Sequence, residues 1–215
     1  MHGGTLFGMS VAVKEMHSGA AATITAQVQK DIEHEFLLHY HLRHDNICEV
    51  LCFNSDPSKG CALKGVLQTA LRHLPHSCAP RPVSMVLRRL ATSVYDLLYE
   101  QPVSPDAPQL FQSPLSLRTR VKLLLDLSRG LAYLHSVGIM HLDVKSMNLM
   151  VSETGTAQLA DFGLSKALAE VGQQSGDDSE EAEFGMGSLP WMAPEMIKQE
   201  TPTPKADVFR CMRAC

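Results

Sequence analysis

Apolar positions change their spacing along the chain, and the changes mark out its elements. Val11-Ala12-Val13-Lys14 is a short β-branched run closing on a lysine, which predicts a strand. From Thr23 to His44, Ile24, Val28, Ile32, Phe36, Leu37 and Tyr40 recur at helical spacing. His44-Asp45-Asn46 ends that helix in turn chemistry, and Ile47–Phe53 reads as another strand. Val83–Leu87 reads as a buried strand, after which Ser93 opens a short helix through Leu98 as its N-cap. Leu117–His135 is the clearest helix, with Val121, Leu124, Leu125, Leu127, Leu131 and Leu134 assigned to its apolar face. Gly138 breaks it. Leu149–Val151 and Ala157–Leu159, joined by Glu153-Thr154-Gly155, predict a hairpin.

The stretches between these elements differ in character. Residues 54–82 carry Asp56-Pro57, Gly60, Gly65, Pro75, Pro80 and Pro82, the composition of a surface insertion or a long strand-to-strand connection. Pro102–Pro114 is Pro-rich connecting sequence. Gly172–Glu183 is polar and acidic, with Asp177-Asp178-Ser179-Glu180-Glu181, and reads as a solvated loop. Strands with one helix come first, then mainly helix with a hairpin. That order predicts an α+β chain of two unlike lobes.

Composition narrows the function classes. With 45% apolar residues in 215, the chain can build a substantial core. Nineteen Lys and Arg against 23 Asp and Glu give a net charge of −4, so no nucleic-acid footprint is visible. No run of 18 apolar residues occurs, and no membrane span is expected. Met1–Lys14 lacks the basic end and apolar middle of a signal peptide, so the expected setting is cytoplasmic or nuclear, with cytoplasmic preferred. Cys48, Cys52, Cys61, Cys78, Cys211 and Cys215 fit that setting as thiols. Cys48-x3-Cys52 followed by Cys61 and Cys78 lacks the paired Cys-x2-Cys knuckles of a zinc site.

Candidate chemistry sits in four segments. They are Val11-Ala12-Val13-Lys14, His141-Leu142-Asp143-Val144-Lys145-Ser146-Met147-Asn148, Asp161-Phe162-Gly163 and Ala193-Pro194-Glu195. In this order and at these spacings they resemble the protein-kinase signature set. Gly187–Glu195, reading Gly-Ser-Leu-Pro-Trp-Met-Ala-Pro-Glu, is most similar to the tyrosine-kinase-like group of Ser/Thr kinases. The resemblance covers roughly Val11 to Asp207. It implies a two-lobed α+β fold, with residues 1–90 as a small β-rich N-lobe and 91–209 as a mainly helical C-lobe. Residues 210–215 are expected to be an unmatched tail, and the fold to be incomplete at both ends.

The resemblance also implies roles. Phosphoryl transfer runs through a loose transition state, so positioning and charge neutralisation supply most of the catalysis. Lys14 would hold the α- and β-phosphates of ATP, provided a carboxylate fixes it. Counting back nine residues from His44 gives Glu35 as that partner, with Glu33 the competitor. Asp143 would orient the substrate hydroxyl and Lys145 would sit near the γ-phosphate, the Ser/Thr-kinase form. Asn148 and Asp161 would bring oxygen ligands to Mg²⁺. Ala12 and Met150 would flank the adenine ring. The backbone of Arg88-Arg89-Leu90 would offer it hydrogen bonds, with Leu87 as gatekeeper. His141 and Phe162 are read as packing residues.

Three departures bear on activity. Leu142 stands where the family usually has Arg, which removes a clamp for an activation-loop phosphate and predicts weak dependence on Ser175, Ser179 and Ser188. Only 13 residues precede Lys14, and Gly3-Gly4-Thr5-Leu6-Phe7-Gly8 lacks the Gly-rich nucleotide loop, marking a strand turn instead. Lys205–Phe209 matches a central helix whose Asp207 anchors the catalytic loop, whereas Arg210–Cys215 does not match. The expected function is transfer of the ATP γ-phosphate to Ser/Thr hydroxyls of a protein substrate. The alternatives are an impaired fragment that only binds partners, or a truncated gene model.

Overall fold

The structure is a computed structural model that describes residues 2–6, 8–15, 34–54, 63–64, 84–99, 115–168 and 186–214. Its contacts divide into two units, Met1–Arg43 with Cys48–Leu90, and His44–Ile47 with Ala91–Cys215. The first unit is β-rich and the second mainly helical, so the α+β class expected from the pattern holds.

The first unit is built on an antiparallel sheet in the order β1-β2-β5-β3-β4. β1 (His2–Leu6) turns at Gly8 into β2 (Met9–Glu15), so Gly3–Gly8 does form a strand hairpin. β3 (Val50–Asn54), β4 (Leu63–Lys64) and β5 (Ser84–Arg88) complete the sheet. β3 begins three residues later than the pattern suggested. Ile47 instead bridges to Leu159 in the second unit, because the turn His44–Ile47 belongs there. Helix α1, residues 34–40, lays Phe36 against Phe53 of β3, their rings stacked at 4.7 Å. On the same helix, buried His39 donates from Nε2 to the Cys48 carbonyl at 2.6 Å. The first half of the predicted Thr23–His44 helix, with Glu33, and most of the 54–82 insertion lie outside the described residues. So do Pro102–Pro114, the acidic segment with Ser175 and Ser179, Cys61 and Cys78.

In the second unit β6 (Thr92–Ser93) leads into α2 (Val94–Tyr99). Ser93 Oγ accepts from the Asp96 N–H at 3.1 Å while Asp96 Oδ2 accepts from the Ser93 N–H at 3.1 Å, a reciprocal cap of the predicted start. α3 (Leu117–Ser136) is capped by Ser116 and followed by Gly138 at φ +76, a left-handed position that suits a residue without Cβ. Its buried face differs from the one assigned above. Leu123, Leu127, Gly130, Leu131 and Leu134 face the core, whereas Val121 and Leu125 are 55% and 48% exposed. The reason is rotational: Val121 and Leu123 are about 200° apart around an α-helix, and many apolar residues hid which face was inside. Gly130 is needed where α3 meets the turn, since a Cβ there would come within 2.9 Å of the Asn46 carbonyl.

β7 (Ile139–Met140) pairs with β10 (Lys166–Ala167), and β8 (Leu149–Val151) pairs with β9 (Ala157–Leu159) in the predicted hairpin. Buried Asp126 ties α3 to that hairpin by accepting from the Ala157 N–H at 3.0 Å. After a 3₁₀ turn (Met186–Trp191) come α4 (Pro194–Ile197), with Pro at its start, and α5 (Pro204–Ala214). Arg210–Ala214, expected to belong to an unmatched tail, are helical. Helix α5 continues to Ala214, and it is tied back where Trp191 Nε1 donates to the Arg213 carbonyl at 3.1 Å.

Candidate active site

Each unit carries a group of candidate catalytic side chains, and the two are built differently. In the first, Lys14 on β2 reaches Glu35 on α1, Nζ to Oε1 at 2.9 Å. Strand pairing fixes the lysine, since Lys14 stands opposite Met85 while Ala12 stands opposite Leu87. The Phe36–Phe53 stack and the His39 bond fix the helix that presents Glu35. The side chains keep 21% and 10% exposure, so the pair is partly solvated. Of the adenine-binding candidates, the Arg88 N–H is taken by the Glu49 carbonyl at 2.9 Å, and the Arg89 N–H by Ser10 at 3.2 Å. The Arg88 side chain turns to Glu49 Oε2 at 2.7 Å. Leu90 is half-buried, at the end of this unit.

In the second unit the segment His141–Asn148 is folded around its own side chains. Its entry is held from α5, where the Asp207 carboxylate accepts from the N–H of His141 at 2.9 Å and of Leu142 at 2.8 Å. Those bonds hold Leu142 at φ +61, a left-handed conformation that costs an ordinary residue about 1–3 kcal/mol. The turn aims the following residues back toward Asn148. His135 Nε2 also donates to Asp207, at 2.9 Å. Burial pushes the Asp207 carboxyl up, but His135, the nearby His141 and the two N–H groups outweigh it, and the net shift is downward.

His141 is fully buried and belongs to the framework. Its Nδ1 accepts from the Asp143 N–H at 3.2 Å, and its Nε2 donates to the Ala160 carbonyl at 3.2 Å. That is one neutral tautomer, and burial lowers its pKa in keeping with the neutral form. Its ring meets Phe162 edge to face at 4.8 Å, so both residues pack as expected. Leu142 is 2% exposed in a cluster with Met140, Met192, Ala193, Met196 and Ala206. The position where the family carries a cation thus ties the loop to the Ala193-Pro194-Glu195 segment by apolar contact.

Asp143, Lys145 and Asn148 come together. Asp143 Oδ2 accepts from Lys145 Nζ at 2.6 Å and from Asn148 Nδ2 at 2.9 Å. Asn148 Nδ2 also donates to the Asp143 carbonyl at 2.9 Å, which leaves Asn148 Oδ1 as the atom suited to a cation. The Asn148 carbonyl accepts from the Ala160 N–H at 2.9 Å, which places Asp161 one residue further on, at φ +65. Met150, half-buried in β8, stands opposite Ser93 and Gln158. Among the described residues no three His, Cys, Asp or Glu side chains cluster as a metal site. A pair such as Asn148 and Asp161 fits Mg²⁺, which keeps several waters and takes substrate phosphate oxygens as ligands.

One member of the group was not anticipated. Arg210, on α5, donates from Nη2 to Asp143 Oδ1 at 2.6 Å and from Nε to the Val144 carbonyl at 3.1 Å. Burial pulls its pKa down while Asp143 and Asp207 oppose the shift. The only signal in the sequence was its spacing: Asp207, Arg210 and Ala214 share one helix face.

Comparison with known proteins agrees with this arrangement. The protein kinase domain family matches residues 6–212. The Serine/threonine/tyrosine-protein kinase HT1 of Arabidopsis thaliana is 43% identical over 95 residues, 44% of this chain and 22% of that protein. The Serine/threonine-protein kinase STY46 of the same plant is 26% identical over 209 residues, 97% of this chain and 29% of that protein. The Proto-oncogene serine/threonine-protein kinase mos of Rattus norvegicus is 28% identical over 205 residues, 95% of this chain and 53% of that protein. The chain therefore spans from about a fifth to about half of the length of these relatives.

Proposed function

The chain belongs to the protein kinase domain family, and on that premise we propose that it transfers the γ-phosphoryl group of ATP to serine or threonine hydroxyls of a protein. The observation that carries this reading is the Asp143–Lys145–Asn148 constellation, with Lys145 Nζ 2.6 Å from the Asp143 carboxylate. The acceptor hydroxyl gives its proton to Asp143 as its oxygen bonds to the γ-phosphorus. The bond from that phosphorus to the β,γ-bridging oxygen breaks, and ADP leaves with the electron pair. Lys145 offsets charge at the γ-phosphate, and Lys14, steadied by Glu35, holds the α- and β-phosphates. Asn148 and Asp161 would hold Mg²⁺, which supplies charge neutralisation at the phosphates when bound. Ala12 and Met150 would flank the adenine, with Leu87 as gatekeeper. Since the N–H groups of Arg88 and Arg89 serve the sheet, the Arg88 carbonyl and the backbone of Leu90 are the groups assigned to adenine.

The relatives' names favour serine and threonine, although HT1 also carries tyrosine in its name. A lysine two residues after Asp143 supports the same choice. Among the described residues no helix is long and apolar enough to cross a membrane, and a cytoplasmic protein substrate is part of the proposal. The test is phosphate transfer to matched Ser, Thr and Tyr peptides by the wild type and Asp143→Asn, each first checked for a cooperative melt. Transfer to Ser or Thr that Asp143→Asn abolishes is the expected result. Equal signal from both proteins would leave the reading that this chain only binds partners.

A further inference from the structure

Among the described residues Arg210 is the bulkiest fully buried side chain, and the roles assigned above do not require it. Its guanidinium is 0% exposed and gripped at two points, by the Val144 carbonyl and by Asp143 Oδ1. The remaining nitrogen, Nη1, has no hydrogen-bond partner among the described residues although it is shielded from solvent. A buried cation with an idle donor is held in place by the ion pair it makes, because burial of a charge without a partner is strongly unfavourable.

The consequence falls on Asp143. Lys145 and Asn148 engage Oδ2, while Arg210 engages Oδ1, and the side chain is left 8% exposed. To take a hydroxyl proton the carboxylate must come within hydrogen-bond reach of the hydroxyl. Lys145 is partly solvated, at 17% exposure, and can move with a substrate phosphate. Arg210 cannot be displaced by water or substrate. It fixes the Oδ1 edge toward the interior, against α5.

Resting on the kinase reading, the geometry points to Arg210 as a built-in latch, a positioning residue that holds the Asp143 carboxylate inward and limits turnover. Arg210→Gln keeps the size and removes the charge, leaving Asp143 paired with Lys145 and Asn148. Arg210→Lys keeps the charge but lacks the fork that holds Val144 and Asp143 together.

The experiment measures steady-state transfer from MgATP to dephosphorylated casein by the full chain, with each variant checked for a cooperative melt and for a thermal shift with MgATP. Arg210→Gln is expected to raise kcat by about tenfold or more, within the range that a positioned base contributes. The KM for ATP stays within about twofold, because the latch acts on the base and not on nucleotide binding. Arg210→Lys falls back toward wild type, and the gain vanishes in Arg210→Gln/Asp143→Asn. A purely structural arginine would give a lower melting temperature with no Asp143-dependent gain.

Asp143-dependent transfer in the wild type that Arg210→Gln leaves unchanged or lowers overturns the latch and leaves the kinase reading standing. A wild type and an Arg210→Gln that both bind MgATP yet transfer nothing overturn the latch and the transfer reading together, leaving a chain that only binds nucleotide. Absence of both transfer and MgATP shift in every protein overturns the kinase reading and the latch with it. Should Arg210→Gln fail to melt cooperatively, Arg210→Lys carries the comparison with a smaller expected gain, and a rate at or below wild type overturns the latch.

Discussion

The two charged groups of this chain solve similar problems by opposite means. Lys14 and Glu35 form an ion pair between a strand and a short helix, with both ends touching solvent. Asp143 is wrapped by Lys145, Asn148 and Arg210, while its loop is gripped from behind by Asp207. A partly exposed pair contributes little to stability and leaves its lysine adjustable. A buried network need add little net stability, but removing one member strands the others at high cost. The first group is organised for adjustment, the second for fixed geometry.

The sharpest way to break that contrast is Asp143→Asn. It leaves the Arg210 guanidinium buried without its charge partner, and breaking such a pair costs about 3–5 kcal/mol. At about 2–4 °C per kcal/mol for a chain of this size, calorimetry should show the melting temperature falling by roughly 6–20 °C. Adding Arg210→Gln should restore most of that loss, since removing both partners is far milder than removing one. No recovery would mean that the two side chains do not couple.

Asp207→Asn comes next. It weakens the grip on two buried N–H groups and should cost about 1–3 kcal/mol. The pH dependence separates this from simple cavity effects. The folded pKa of Asp207 lies below its ordinary value of 3.8, so its stabilisation is fully present above that value and is lost as pH falls through the lower folded one. Melting temperatures followed below pH 4 should therefore drop less steeply in Asp207→Asn than in wild type. Equal acid slopes would contradict the assigned role.

Glu35→Gln is the mirror experiment in the first unit. Stability should change less than in Asp143→Asn, because Lys14 keeps some water and the glutamine can still accept its hydrogen bond. Phosphate transfer should nonetheless fall by more than stability does, with the loss read in the KM for ATP as well as kcat. A melting shift as large as that of Asp143→Asn would erase the distinction between the two groups.

The smallest effect concerns Cys48. Burial, reinforced by Glu49 and only partly opposed by Arg88, pushes its thiol up to about 12, so it stays protonated at ordinary pH. Iodoacetamide at pH 8 should leave Cys48 unmodified in the folded chain, as mass spectrometry would show, and label it after denaturation.

Much of this was legible in the residues. The hairpin Leu149–Val151 with Ala157–Leu159, the Ser93 cap and the span of α3 depend on neighbours within a few positions, and each formed as read. Glu35 could be placed opposite Lys14 because the family resemblance puts the partner carboxylate nine residues before His44. The inward face of α3 could not be read, since seven leucines and a valine surround that helix and only the partner elements select among them. Leu142 at φ +61 was equally hidden, because a left-handed leucine is stable only with Asp207 holding its N–H from 65 positions away.

The sequence by itself determined the elements, the order of the four motif segments and the types of group available for phosphoryl transfer, because these rest on local spacing and side-chain chemistry. Only the tertiary structure decided which of those groups touch. Arg210, which looked like the first residue of a charged tail, became the most deeply held partner of Asp143 because α5 continues and turns it inward. Contacts across 67 positions depend on how helices pack, and packing selects one face of a helix that the sequence alone leaves open.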